Sequence, residues 1–237
     1  MLTTAAPLPA SYFSDLVRAR HSSRQFLPTP LPAADIRGIL EDAQSAPSNS
    51  NTQPWHVHIV SGAARDTLSK ELLAAYEEDR TSLDFTSGYG EGLYQERSHQ
   101  HAATVYGARG VERSDLEGRK EVIRENLRFY GAPHVALLFM PLLGDGVRAA
   151  GDIGMYAQNF LLSLTARGYH GIPQAVLGVY ADTVRQSLGV TDDLKLLFGV
   201  SFGIGDRTSP MHGIDVGRSP LQQSVALHDT PGVLDGQ

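Results

Sequence analysis

The longest uninterrupted apolar run in this chain is Val135–Leu143, nine residues. A membrane-crossing helix needs ~20. The run suits a strand, and the lack of polar alternation over Val135–Met140 predicts one covered on both faces. Such a strand constrains the whole fold, because helices must supply both covering layers. One of them lies close by. Ile153, Tyr156, Ala157, Phe160, Leu161 and Leu164 make a single apolar helix face, which Arg167 and Gly168 close with a cation and a C-cap glycine.

The remaining elements follow from periodicity and punctuation. Residues 1–10 read as a loose tail, and Ser11–Ala19 as a short helix. Pro32 opens a second helix with Ile36, Ile39, Leu40 and Ala43 as its stripe, ending near Ser45 because Pro47 disfavours helix before it. Trp55–Val60 reads as a strand, and Ala63 to about Arg80 as a helix striped by Leu68, Leu72 and Tyr76. Ser114 to Glu117 has the form of a capping box, opening a helix that runs toward Gly131. Tyr169–Ala175 reads as a loop, Asp182–Leu188 as a short helix and Lys195–Gly203 as a second apolar strand. From about residue 207 onward the chain has no period and reads as an arm. Residues 66–130 read as a charged, helical excursion: the stretch 65–130 holds 23 of the chain's 46 Asp, Glu, Lys and Arg. No linker divides residues 11–237, so one domain is expected, of α+β or α/β type.

Composition removes several functions. The net charge of −6 argues against broad nucleic-acid binding and against docking on anionic membranes. The cysteine count of zero excludes disulfides, thiol nucleophiles, iron–sulfur clusters and cysteine-ligated zinc. The first residues carry neither a charged nor a long apolar segment, so no secretory signal is expected and a cytoplasmic location is.

Two clusters carry chemistry. Arg18, Arg20, His21, Ser22, Ser23 and Arg24 put three guanidiniums and two hydroxyls into seven residues of an acidic chain. Guanidinium forks match phosphate oxygens, so the set suits a phosphate-bearing ligand, although a solvated basic turn has the same composition. Ser48–Gln53 is a run of six amide or hydroxyl side chains between prolines, followed by the only Trp. It suits the edge of a polar heterocycle, and equally a surface turn. Two weaker signals are Gly168-Tyr169-His170-Gly171-Ile172-Pro173-Gln174-Ala175 and Gly217-Arg218-Ser219-Pro220. The pairs His56/His58 and His99/His101 lack the cysteine or carboxylate partners of a metal centre, and read as a strand's polar face and a helix surface.

In order and spacing these segments resemble the flavin-dependent nitroreductase family. The resemblance rests on Arg20-His21-Ser22-Ser23-Arg24, on Ala46-Pro47-Ser48 through Asn51, Gln53, Pro54 and Trp55, and on the helix 152–168. Gly203 to Asp206 and Arg218-Ser219-Pro220-Leu221 add to it. It implies an α+β sandwich, with a central mixed and mainly antiparallel sheet flanked by helices, in an intertwined homodimer. It implies bound FMN and NADH or NADPH as electron donor. Hydride would pass to flavin N5 and on to a nitroaromatic, quinone or similar small-molecule acceptor by ping-pong exchange, with no catalytic side chain. By the same resemblance Arg20, His21 and Ser22 would hold the phosphate and ribityl end, with Arg218 on the phosphate. Arg24 would reach the pyrimidine edge. Ser48, Asn49 and Asn51 would approach from the partner subunit, and Pro173 and Gln174 would face the ring. Asp215 stands about where many members have a basic residue, and no second pyrimidine-edge lysine can be placed. Another flavin redox reaction on this scaffold, or a flavin-binding protein without turnover, fits the same residues.

Overall fold

The computed structural model describes residues 9–228 and Gly232. Most of the expected N-terminal tail therefore lies outside the described residues. Helix α1 spans Ala10–Ala19, α2 Ala33–Gln44, α3 Gly62–Glu77, α4 Leu93–Ala108, α5 Leu116–Leu127, α6 Val147–Ala166 and α7 Ala181–Leu188. The strands are β1 (His56–Ser61), β2 (His134–Pro141), β3 (His170–Gln174) and β4 (Leu194–Gly203). They form one sheet in the order β1-β2-β4-β3, with every strand pairing antiparallel. Among the described residues, the parallel component of the expected mixed sheet is confined to single bridges, Ser22 to Gly171 and Ser82 to Tyr180.

Strand β2 is the centre of the molecule, as its composition requires. Side chains alternate across a strand, so Val135, Leu137 and Phe139 enter one core while Ala136, Leu138 and Met140 enter the other. The first core is closed by Leu68 and Leu72 of α3, Leu127 of α5 and Val184 of α7. The second is closed by Ile39 of α2 and by Ile153, Phe160 and Leu164 of α6, every one of them fully buried or nearly so. In β4 the register slips opposite Leu138 and Phe139, so that Leu197 is bulged out of the ladder. One extra residue reverses the parity of a strand. Leu196 accordingly faces the first core, whereas Val200 and Phe202 face the second.

Three expectations change. Tyr169–Ala175 contains a strand, β3, rather than only a loop. Its Pro173 fits because β3 is an edge strand, where a missing N–H costs no ladder bond. The cap of α5 is Asp115, not Ser114: its Oδ1 accepts the Gly118 N–H at 2.8 Å. The excursion is also not wholly solvated, since α3 and α5 furnish core residues. Two of its charged side chains, those of Asp84 and Arg109, are themselves buried, while α4 contributes a single buried side chain, Val105.

Candidate functional site

Helix α1 stops at Arg20, whose φ of −65° and ψ of 120° turn the chain extended. The next residues then run beside β3, where Ser22 bridges Gly171. This places Arg20, His21 and Ser22 next to Pro173. The arm returns past the same place, and a cavity of about 990 Å³ opens between them, lined by Arg20, His21, Ser22, Arg24, Pro173 and Arg218. Six residues from three distant segments of sequence thus meet in one space.

Its electrostatics are lopsided. Arg24 is 7% exposed. Its guanidinium donates to the Ser22 carbonyl at 3.4 Å and to His101 Nε2 at 3.2 Å, and contacts the Tyr130 hydroxyl, but it pairs with no carboxylate among the described residues. Burial first of all holds Arg24 below the ordinary arginine range, with Tyr130 pulling the other way. Arg20 is also held down, by burial and then by the like charge of Arg218. Asp215 lines the cavity too, but it caps the local turn, with Oδ1 accepting the Gly217 N–H at 2.8 Å. Buried cations without a counter-charge are costly. A dianionic phosphate with a polar aromatic body would relieve that cost, so the donor set fits FMN.

The polar loop is built differently. Ser48, Asn49 and Asn51 do not line this cavity. Ser50, Asn51 and Gln53 have φ of 51°, 54° and 47°, left-handed conformations that cost energy outside glycine. Asp152 of α6, 5% exposed, holds the loop by accepting the Asn49 N–H on both carboxylate oxygens at 3.1 Å. Ser48 Oγ accepts the Gln53 N–H at 3.0 Å, and Trp55 Nε1 donates to Gln44 at 3.0 Å. The side chains of Asn49 and Asn51 remain exposed. Asp152→Ala is expected to destabilise the protein by about 1.5–3 kcal/mol, the range for a charge-assisted bond. Urea unfolding measures it, and an unchanged midpoint would show that the loop holds itself.

Gln174 is 3% exposed, and its side chain is turned inward. Nε2 donates to the Asn126 carbonyl at 2.8 Å, and the amide oxygen accepts from Ser201. It does not line the cavity.

Sequence reasoning missed His101, Arg109 and Tyr130. Helix α4 carries His101 to Arg24, so His99/His101 is not a plain helix surface. Arg109 pairs with Glu125 and lies with its guanidinium carbon 5.7 Å from the Tyr130 ring centre. Tyr130 itself sits at a φ of 54°. No local pattern marks these three, because the contacts span up to 106 residues of chain, Arg24 to Tyr130. His170 belongs to the weak Gly168–Ala175 signal, and His212 was unmarked. They pack against His21, and burial, then the neighbouring imidazoles, push His170 down to about 4.

A sequence model of the nitroreductase family matches residues 17–204. The chain belongs to the nitroreductase family. Nitroreductase NfnB of Mycolicibacterium smegmatis is 45% identical over 212 residues, covering 89% of this chain and 90% of that protein. The crystal structure of FMN-dependent NfnB from Mycobacterium smegmatis in complex with NADPH superposes with a TM-score of 0.89, at 42% identity, over 92% of this chain and 99% of the other. A 4-nitrobenzoate reductase of Nocardioides sp. is 32% identical over 227 residues, covering 93% and 92%. The nitroreductase fold expected from the N-terminal motifs is therefore the fold of this chain.

Proposed function

We propose that this nitroreductase-family chain is an FMN-dependent oxidoreductase that draws electrons from NAD(P)H and reduces nitroaromatic, quinone or similar electron-poor acceptors. One observation carries the reading: the guanidiniums of Arg20, Arg24 and Arg218, none in an ion pair among the described residues, converge with Asp215 on a single cavity of an acidic protein. The NADPH complex of the mycobacterial relative favours NADPH, and the 4-nitrobenzoate reductase favours nitroaromatic acceptors. Tyr12, Phe13 and Val17 are exposed on α1, an apolar surface that supports assembly as a homodimer. A cytoplasmic site of action agrees with the lack of any described helix long and apolar enough to cross a membrane.

Bound flavin supplies two-electron transfer at N5. The chain's own groups bind and bias it. Arg20, Ser22 and Arg218, with His21 between them, take the phosphate and ribityl end. Arg24 holds a fixed cation at the pyrimidine edge, where electron gain builds negative charge. Its orientation is set beforehand by Ser22, Tyr130 and His101. Pro173 forms a wall of the cavity, and Gln174 steadies the strand behind it. Ser48, Asn49 and Asn51 present their loop to the partner's cavity.

The test is a visible spectrum of the purified protein before and after anaerobic NADPH, followed by 4-nitrobenzoate. Flavin bands that bleach and then return are expected. Bands that NADPH leaves unchanged would overturn turnover and leave a flavin-binding protein; a colourless protein that rejects added FMN would overturn the cofactor. Arg20→Ala is expected to weaken FMN retention about 10- to 100-fold, the worth of one charge-assisted bond. Fluorescence titration of apoprotein with FMN measures it, and an unchanged affinity would remove Arg20 from the phosphate end.

A further inference from the structure

His21, His170 and His212 come from the loop after α1, the start of β3 and the arm, and they meet ring to ring. The ring centroids are 5.2 Å apart for His21 and His170, and 4.7 Å for each of the other two pairs. One ring nitrogen of each lies within 4.8 Å of those of the other two. Three imidazoles around a tetrahedral ion, with nitrogens about 2.1 Å from it, hold their centroids about 5 Å apart.

Hydrogen bonds fix which nitrogens are free. His21 Nδ1 lies 2.9 Å from the Ala19 carbonyl, which can only accept, so Nδ1 carries the proton and Nε2 a lone pair. That Nε2 is buried and has no hydrogen-bond partner. His212 Nδ1 lies 3.2 Å from Ser23 Oγ, whose own proton goes to the Gln25 carbonyl at 3.0 Å. His212 therefore donates through Nδ1 and keeps its Nε2 lone pair. His170 is held more loosely: its Nδ1 accepts the Gly205 N–H at 3.2 Å, so the proton sits on Nε2. Ligand histidines whose second nitrogen is tied to a carbonyl or hydroxyl are the usual build of a metal centre. Gly205 keeps the space open, because a Cβ there would lie 2.8 Å from the His212 ring. Asp206, which follows it, puts a carboxylate near His212.

We propose that His21, His170 and His212 bind one divalent transition ion that imidazole favours, zinc foremost. His21 and His212 ligate through ready lone pairs, and His170 changes tautomer as the ion enters: Nε2 loses its proton to solvent, Nδ1 takes one up in place of the long Gly205 N–H bond, and the ring stays neutral. The ion fastens the arm that carries Arg218 to the loop that carries Arg20. All of its ligands are side chains of this chain, and it takes the His21 imidazole while leaving Arg20, Ser22 and Arg218 to the phosphate.

The experiment titrates zinc into tag-free, chelator-treated, FMN-loaded protein by calorimetry, and counts bound zinc by mass spectrometry after gel filtration. One zinc per chain is expected. His170→Asn and His212→Asn should each weaken uptake at least about tenfold, while His56→Asn, on the far edge strand, should leave it unchanged. No uptake by the parent protein, or uptake by both variants equal to the parent's, would overturn the site. If a variant does not fold, cobalt added to the parent protein decides. Intense visible bands to the red of the flavin support three imidazoles, and a weak, aquo-like spectrum overturns them. A protein that binds zinc but neither holds nor uses FMN would keep this site and lose the proposed function.

Discussion

Asp84→Ala is expected to cost the fold about 3–5 kcal/mol, the penalty for stranding one partner of a buried ion pair. The side chains of Asp84 and Arg185 are each 6% exposed and lie 2.5 Å apart. Asp84 Oδ2 also accepts the Leu196 N–H at 2.8 Å, and Lys195 Nζ is 3.6 Å from Oδ1. One carboxylate thus ties the segment after α3 to α7 and β4. Without it, Arg185 keeps Asp182, but that partner is 58% exposed and shares its charge with water. Asp182→Ala touches the same guanidinium and should cost at most about 1 kcal/mol. Urea unfolding of both variants separates the cases; equal losses would show that burial does not set the strength of the pair.

Arg24→Ala should lower turnover with NADPH and a nitroaromatic by about 10²- to 10³-fold, the usual loss when one preorganised charge-stabilising group is removed. FMN retention should fall less than in Arg20→Ala, because in the proposed arrangement Arg24 would serve the ring and not the phosphate. The flavin midpoint potential should drop as well, and Arg24→Lys should recover part of it by restoring the charge without the fork. A normal potential in Arg24→Ala would remove Arg24 from the pyrimidine edge. His101→Ala gives a useful contrast, since it frees the guanidinium while leaving its charge in place.

What could be read from the sequence was what neighbouring residues decide among themselves. The apolar run in β2 predicted a strand covered on both faces, and its alternating members do enter two cores. The stripe of α6 is buried as its spacing requires. Arg20, Ser22, Arg24, Pro173 and Arg218 were named from motifs, and they line one cavity. The errors have a common cause. Strand β3 hid behind Gly171 and Pro173, because an edge position tolerates residues that a central strand would not. The inward turn of Gln174 depends on Asn126 and Ser201, neither near it in sequence. His101, Tyr130 and Asp84 act across tens of residues, so no window of sequence contains both halves of their interactions.

Helix α4 has a consequence for how such an enzyme changes over time. It carries one buried apolar side chain, and Gly88, Gly90 and Gly92 precede it with nothing within 4 Å of an added Cβ. Besides Val105, it is tied by polar contacts: His101 to Arg24, Arg97 to Gln223 and, just past its end, Arg109 to Glu125. His101 is the α4 residue that lines the cavity, and no residue of α4 belongs to either core, so mutations along the helix leave the two cores that keep the protein folded undisturbed. Selection for a new acceptor can act first on the positions of this helix other than His101, while Arg24 and the imidazole that orients it are inherited intact.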